Sequence, residues 1–113
     1  MTEKIHVDRE WAEAWSVCFR ALGDPSRVMI LHVLATARRP LTVGEIVEAV
    51  DVGQSTVSHH LRILADACFV HVERQGTASW FRVNEKCMDE LPAAAAAVMG
   101  TAKTRDKRGR MSR

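Results

Sequence analysis

The chain has 113 residues, of which 47% are hydrophobic, and this balance favours one globular domain over a disordered chain. No apolar run approaches the roughly 20 residues that a membrane span needs, and the acidic first ten residues (MTEKIHVDRE) lack the features of a signal peptide. The three cysteines are not closely spaced, which argues against a disulfide scaffold. Reduced thiols and a cytoplasmic location are therefore expected.

Charge is distributed unevenly along the chain. Residues 101–113 carry six Lys and Arg against one Asp, a net charge of +5, whereas the remainder carries ten against thirteen acids, a net charge of −3. We expect residues 101–113 to form a flexible basic tail, which either holds DNA phosphates non-specifically or only keeps the chain soluble. Because the rest of the chain is slightly acidic, any nucleic-acid surface on it must be local.

Two helices are predicted in the first forty residues. An N-cap at Asp8, followed by apolar residues at helical spacing, indicates a helix over 9–22. A second helix is predicted to start at Asp24 and Pro25. Its long apolar run indicates a buried central helix, within which His32 is expected to be a core histidine.

The middle of the chain predicts a pair of short helices. Thr42 and Glu45 have the spacing of a capping box, which predicts a helix over 43–50. After a three-residue turn at 51–53, a second helix is predicted over 54–67. Two short helices joined in this way form a helix-turn-helix arrangement.

The last third of the chain predicts a β-hairpin and a final helix. Residues 69–74 and 79–83 alternate as strands do, with 75–78 as the turn between them. Asn84 is suited to cap a last helix, in which Pro92 predicts a kink or a restart. The fold class expected from these elements is mainly α with a small β-hairpin.

The predicted helix over 54–67 has two distinct faces. Val57, Leu61 and Leu64 form a core stripe, and His60 lies near Leu64, where half-burial is expected. Short polar groups and one arginine occupy the other side and the N-terminal end. Such groups fit against base edges in the major groove, and a helix N-terminus suits phosphate. The DNA contacts predicted on this helix are Gln54, Ser55, Thr56, Ser58, His59 and Arg62.

The tip of the hairpin is a candidate DNA-contacting wing. Arg74, Gln75 and Thr77 lie there beside Gly76 and could contact the minor groove or phosphates. The alternative interpretation is an ordinary turn.

On four segments the chain resembles the ArsR/SmtB family of bacterial winged-helix repressors. The segments are FRALGDPSR at 19–27, LTVGEI at 41–46, QSTVSHHL at 54–61, and Gly76 with WFRVN at 80–84. The resemblance covers about residues 10–100 and implies a dimeric winged helix-turn-helix of five helices, with the first and last helices at the dimer interface. It also implies that the helix over 54–67 enters the major groove of an imperfectly palindromic operator, and that an inducer relieves repression. The expected organisation is an N-terminal arm (1–8), a DNA-binding and dimerisation domain (9–100) and the basic tail (101–113).

Metal-ligand positions of the family's known sensors are mostly occupied here by other residues. Thr42 and Gly44 stand where arsenic sensors have two cysteines, and Ile63 replaces one cysteine of a cadmium and lead sensor. Glu85 and Cys87 match the first zinc-ligand pair in position, but Val98 and Thr101 replace the second pair. None of these family sites is complete.

The three cysteines have several open interpretations. Cys68 stands where the family usually has a glycine in the left-handed conformation, which costs a side chain roughly 1 kcal/mol. Cys68 either continues the buried stripe of its helix or serves as a ligand or redox thiol. Cys18 lies on the apolar seam of the first helix. Cys87 is in the first turn of the last helix, where a lowered pKa is expected, and is predicted to be the most reactive thiol.

The leading hypothesis for the inducer is a thiophilic metal or metalloid ion such as As(III). Three thiolates are the number that a trigonal site of this kind requires, and the predicted ligands are Cys18, Cys68 and Cys87. These cysteines would approach one another where the first and last helices meet across a dimer. The alternatives are a thiol-redox switch and an inducer-independent repressor.

Two other functional classes receive little support. An enzyme would need a nucleophile with a base, or a phosphate-binding glycine loop, and neither pattern is present. A winged helix used only for protein contact would be favoured by an acidic recognition face, which this chain lacks. The predicted function is therefore sequence-specific DNA binding by a transcriptional regulator.

Overall fold

The computed structural model describes residues 8–101, and this range contains five helices and three strands. The predicted basic tail from residue 102 onward and residues 1–7 of the predicted arm lie outside the described residues. None of the described helices is both long and apolar enough to cross a membrane. In chain order the elements are α1 (Arg9–Ala21), α2 (Pro25–Ala37), β1 (Leu41–Thr42), α3 (Val43–Val50), α4 (Gln54–Asp66), β2 (Val70–Gln75), β3 (Ala78–Val83) and α5 (Glu85–Val98).

The predicted helix caps are confirmed. The side chains of Asp8, Asp24 and Asn84 accept backbone N–H groups at the starts of α1, α2 and α5. Thr42 and Glu45 form both bonds of a capping box at α3. Each cap pairs N–H groups that a helix leaves free at its first turn, so the sequence determines these starts locally.

The turn between α3 and α4 confirms the helix-turn-helix prediction. Asp51 ends α3 in the left-handed conformation with a φ of 56°, and Gly53 is the N-cap of α4. Asp tolerates this conformation better than most side chains, so the turn forms without glycine at that position.

The sheet has three strands in the order β1-β3-β2, whereas only a hairpin was predicted. β1 pairs antiparallel with β3, with Leu41 opposite Phe81 and Thr42 opposite Trp80. The hairpin strands lie one residue from their predicted bounds, and the turn narrows to Gly76 and Thr77. Gly76 has a φ of 63°, so a glycine suits this turn.

The core lies between α2, α3, α4 and one face of the sheet. The predicted stripe of α4 is confirmed, since Val57, Leu61 and Leu64 are at most 1% exposed. Phe69, between α4 and the hairpin, is likewise buried. The largest fully buried side chains on the other helices are Ile30, Leu34 and Ile46.

The prediction that α2 is a buried central helix is wrong for one side of it. Ile30 and Leu34 are buried, but Val28 and Met29 are 50% and 47% exposed. His32 is exposed as well, so it is not a core histidine. The apolar run is wider than the face that α3, α4 and the sheet cover.

Helix α5 continues through Pro92, so the predicted restart does not occur. Pro92 is exposed, while the neighbouring Ala94 is buried. The small side chains of α5 lie close to the aromatic side of α1, where Trp11 and Trp15 share a surface groove with Ala97.

Candidate nucleic-acid interface

The outer face of α4 presents a continuous polar surface. All six predicted contacts on this helix are exposed, above the buried aliphatic stripe of the same helix. Five of them line a single open hollow: Gln54, Ser55, Ser58, His59 and Arg62. The division of faces expected from the spacing is present, and the polar side faces outward.

The N-terminus of α4 differs from those of α1, α3 and α5. Those three helices carry an acidic residue in the first turn and a side-chain cap, whereas α4 has neither among the described residues. Gly53, the N-cap of α4, has no side chain to accept the free N–H groups. These donors and the positive end of the helix dipole are therefore available to an anion such as a DNA phosphate.

The hairpin tip is exposed at the end of β2 and in the turn. Arg74, Gln75 and Thr77 are all exposed, as predicted for a wing. Along β2, only Val70 is buried, so the outer part of the hairpin projects from the core.

The outer polar face of α4 is called the recognition face below. A polar contact beneath this face was not predicted. His60 is 8% exposed, which confirms its expected burial, and it is the one buried polar side chain within residues 8–101. The Nη1 atom of Arg27 lies 3.2 Å from Nδ1 of His60. Both residues belong to segments that carry the family resemblance, but their pairing depends on how α2 packs against α4.

The backbone of Cys68 has the predicted left-handed conformation, with a φ of 68°. Its side chain is exposed, so the interpretation of Cys68 as a buried stripe residue is wrong. The carbonyl oxygen of Cys68 accepts two hydrogen bonds from the start of α5. Cys87 Sγ donates over 3.1 Å, and Asn84 Nδ2 donates over 2.8 Å.

The prediction of a lowered pKa at Cys87 is wrong. Burial raises the pKa of the Cys87 thiol, and the neighbouring Cys18, Glu90 and Cys68 raise it further. Burial likewise raises the pKa of Cys18, with added contributions from Cys68 and Glu90. At Cys87 these effects outweigh the helix N-terminus. Cys87 Sγ also lies 3.1 Å from the carbonyl oxygen of Cys68 within a single subunit, whereas the thiols were expected to approach one another across a dimer.

The three cysteines do not form a ready-made metal site. Within residues 8–101, no group of three or more His, Cys, Asp or Glu side chains is arranged to hold a metal ion. Cys18 and Cys87 favour the protonated form because their pKa values are raised, whereas metal ligation requires thiolate.

Comparison with known proteins identifies the family. The model of the bacterial regulatory protein arsR family matches residues 24–72, which include α2, α3 and α4. An uncharacterized HTH-type transcriptional regulator of Methanocaldococcus jannaschii is 40% identical over a region covering 65% of this chain and 89% of that protein. The chain belongs to the arsR family of bacterial regulatory proteins. The arsenical resistance operon repressor of Bacillus subtilis is 37% identical, with coverage of 65% of this chain and 69% of that protein.

The fold is confirmed by comparison with solved structures. A homodimeric winged helix-turn-helix DNA-binding domain from Mycobacterium bovis superposes with a TM-score of 0.66 at 23% identity, covering 88% of this chain and 91% of that chain. This arsR-family protein is accordingly a DNA-binding transcriptional regulator with a winged helix-turn-helix fold, and not an enzyme.

Proposed function

We propose that this regulator is a homodimeric repressor that acts in the cytoplasm, where it binds an imperfectly palindromic operator and releases it in response to an inducer. The observation that carries this proposal is the outward polar face of α4. Ser58 and His59 lie in the middle of that face and are suited to contact base edges. The uncapped N-terminal end of α4 is suited to contacts near the DNA backbone, and its side chains there are Gln54, Ser55 and Thr56.

Arginines at both ends of the surface are suited to phosphate. Arg62 lies on α4 and Arg74 on the hairpin, and both are exposed. Gln75 and Thr77 extend the hairpin contact toward the minor groove or the backbone. Contacts to phosphate contribute affinity and position the protein, whereas contacts to bases distinguish sequences.

The α1–α5 groove supports the proposal of a homodimer; its lining includes Trp11, Trp15, Phe19, Ala97 and Val98. The ring centroids of Trp11 and Trp15 are 5.9 Å apart. Val98 and the adjacent Met99 are 53% and 75% exposed, so apolar surface remains for a partner to cover. The relative from Mycobacterium bovis is homodimeric. Two α4 helices in one dimer would read half-sites about 10 bp apart, or a multiple of that spacing.

The proposal is tested by selecting duplexes from a randomised library with the purified protein. We expect enrichment of an imperfect palindrome, whose binding persists in excess competitor DNA and weakens linearly with the logarithm of salt concentration. Equal affinity for the selected duplex and for a scrambled duplex of the same composition would overturn the proposal.

We further propose that the inducer acts on the group of Cys18, Cys68 and Cys87. Two observations within one subunit support this assignment: Cys87 Sγ lies 3.1 Å from the carbonyl oxygen of Cys68, and, in addition to burial, the neighbouring Cys18 and Cys68 raise the pKa of the Cys87 thiol. A thiophilic ion such as As(III) would displace the thiol protons and would require the side chains to turn toward one another. Oxidation is the second candidate, in which two thiols and one hydrogen peroxide give a disulfide and two water molecules.

The two candidates are separated by titrating the protein–DNA complex. Release by arsenite or cadmium ion, reduced in at least one Cys→Ser variant, would support the ion. Release by peroxide that a reductant reverses would support oxidation. If neither treatment releases the wild-type protein, or if all three variants respond as it does, the cysteine group is not the inducer site.

A further inference from the structure

Arg27 connects the end of α1 and the start of α2 to α4, the proposed recognition helix. Nε of Arg27 donates to the carbonyl of Ala21 at the end of α1, and Nη1 faces Nδ1 of His60 on α4 at 3.2 Å. The backbone N–H of Arg27 donates to Asp24, which caps α2. The junction of α1 and α2 is thereby tied to the middle of α4.

The contact selects one tautomer of the His60 ring. A guanidinium has only donors, so Nδ1 of His60 must accept and the ring proton must be on Nε2. Nε2 lies 3.9 Å from the Asp24 carboxylate, which complements this arrangement. Desolvation opposes a low pKa at Asp24, but the backbone N–H groups of Arg27 and Ser26, with the charge of Arg27, hold its pKa below the ordinary value.

His60 lies directly beneath the recognition face. It is next in sequence to His59, and the two ring centroids are 5.7 Å apart. His59 is exposed, whereas His60 is buried and cannot itself contact DNA. The aliphatic stripe of α4 packs into the core through apolar contacts, which are not directional. A hydrogen bond to a charged group is directional, so the Arg27 contact selects one rotation of the helix.

We propose that Arg27 and His60 are positioning residues for DNA recognition, whose hydrogen bond sets the rotation of α4 that presents Ser58 and His59 to the bases. This inference rests on the proposed function of α4. It adds two residues that do not touch DNA and yet determine sequence preference.

A matched pair of variants at His60 tests the proposal. His60→Asn places Oδ1 where Nδ1 stood and keeps an acceptor for Arg27, whereas His60→Leu keeps apolar bulk and removes the acceptor. We expect the Leu variant to bind the selected operator about tenfold more weakly, which corresponds to about 1.4 kcal/mol and to one lost hydrogen bond. We expect the Asn variant to stay within about threefold of wild type. Binding to scrambled DNA should change in neither variant, because the phosphate contacts remain.

Several outcomes would overturn the proposal. One is an unchanged operator preference in His60→Leu, and another is an equal loss of operator affinity in the Asn and Leu variants. A third is an equal loss of affinity for operator and scrambled DNA that accompanies a lower melting temperature. Nitrogen NMR gives a readout independent of DNA, since the wild-type ring should carry its proton on Nε2, and a proton on Nδ1 contradicts the contact. If His60→Leu does not fold, Arg27→Lys tests the proposal, because lysine keeps the positive charge but cannot donate to Ala21 and His60 from separate nitrogens. A loss of affinity confined to the operator would support the proposal, and unchanged operator binding would overturn it. A wild-type protein without operator preference would instead refute the proposed function.

Discussion

The thiol of Cys87 donates a hydrogen bond to the backbone carbonyl of Cys68 across 3.1 Å. The side chain of Asn84 donates to the same oxygen, so both lone pairs of that carbonyl are occupied. Cys68, the second residue after the end of α4, is thereby joined to the first turn of α5. The thiol of Cys87 thus has a structural partner, and the thiol of Cys68 is exposed.

The left-handed backbone of Cys68 has a measurable effect on stability. With a φ of 68°, any side chain at this position is strained, and glycine is not. We expect Cys68→Gly to be more stable than Cys68→Ala by about 1 kcal/mol. Chemical denaturation of the two variants measures this difference, and because both lack the thiol, the comparison isolates the backbone. Equal stabilities would show that the conformation is not strained in solution.

Substitutions on the recognition surface should fall into two groups. Ser58→Ala and His59→Ala should relax base preference by roughly 1–3 kcal/mol for each lost contact. Arg62→Ala and Arg74→Ala should weaken binding to every sequence and reduce the salt slope by about 1 each. Fluorescence anisotropy on operator and scrambled duplexes at several salt concentrations measures both effects. Similar losses for both groups on both duplexes would contradict the assignment.

A charge in the α1–α5 groove should disrupt dimerisation. Val98 is 53% exposed beside the aromatic side chains of α1, so Val98→Asp would place a carboxylate in the proposed interface. We expect dimerisation to weaken by at least about tenfold, as measured by sedimentation velocity. Val72→Asp is the matched control, since Val72 is similarly exposed but lies on β2. A dimer unaffected by Val98→Asp would place the interface elsewhere.

The capping box should make stability depend on pH in the acidic range. The backbone N–H of Thr42 and the guanidinium of Arg39 hold the pKa of Glu45 below its ordinary value of 4.5. A depressed pKa contributes stability that is complete above the ordinary value and is lost as pH falls through the lower folded value. Thermal denaturation from neutral to acidic pH should therefore show a smaller acid-induced loss in Glu45→Gln than in wild type. Identical pH profiles would indicate that Glu45 makes no such contribution.

The features predicted correctly from the sequence are those encoded by nearby residues. The caps at Asp24 and Thr42, the turn at Asp51 and the two faces of α4 each depend on residues within one or two helical turns. The strand β1 was missed because its two residues pair with β3, which is far along the chain. No local pattern marks a strand of that length.

The errors at His32 and Cys87 have a common physical origin. An apolar run shows that a helix has hydrophobic surface but not which side the neighbouring elements cover, and His32 lies on an uncovered side. Position in a helix predicts a dipole effect on the Cys87 thiol but not the burial that outweighs it. The pairing of Arg27 with His60 likewise depends on tertiary packing, although both residues lie in segments that carry the family resemblance.

The short strand β1 supports only the base of the hairpin. Three strands lie side by side near Phe81, but beyond Trp80 and Glu73 only two remain. A two-stranded ribbon is marginally stable by itself, so we expect stiffness to decrease from the anchored base to the free tip. The outer segment with Arg74 could then bend to follow grooves of different width while α4 stays in register. Such compliance would let one protein tolerate operators that differ in local DNA shape at their flanks but not at their centres.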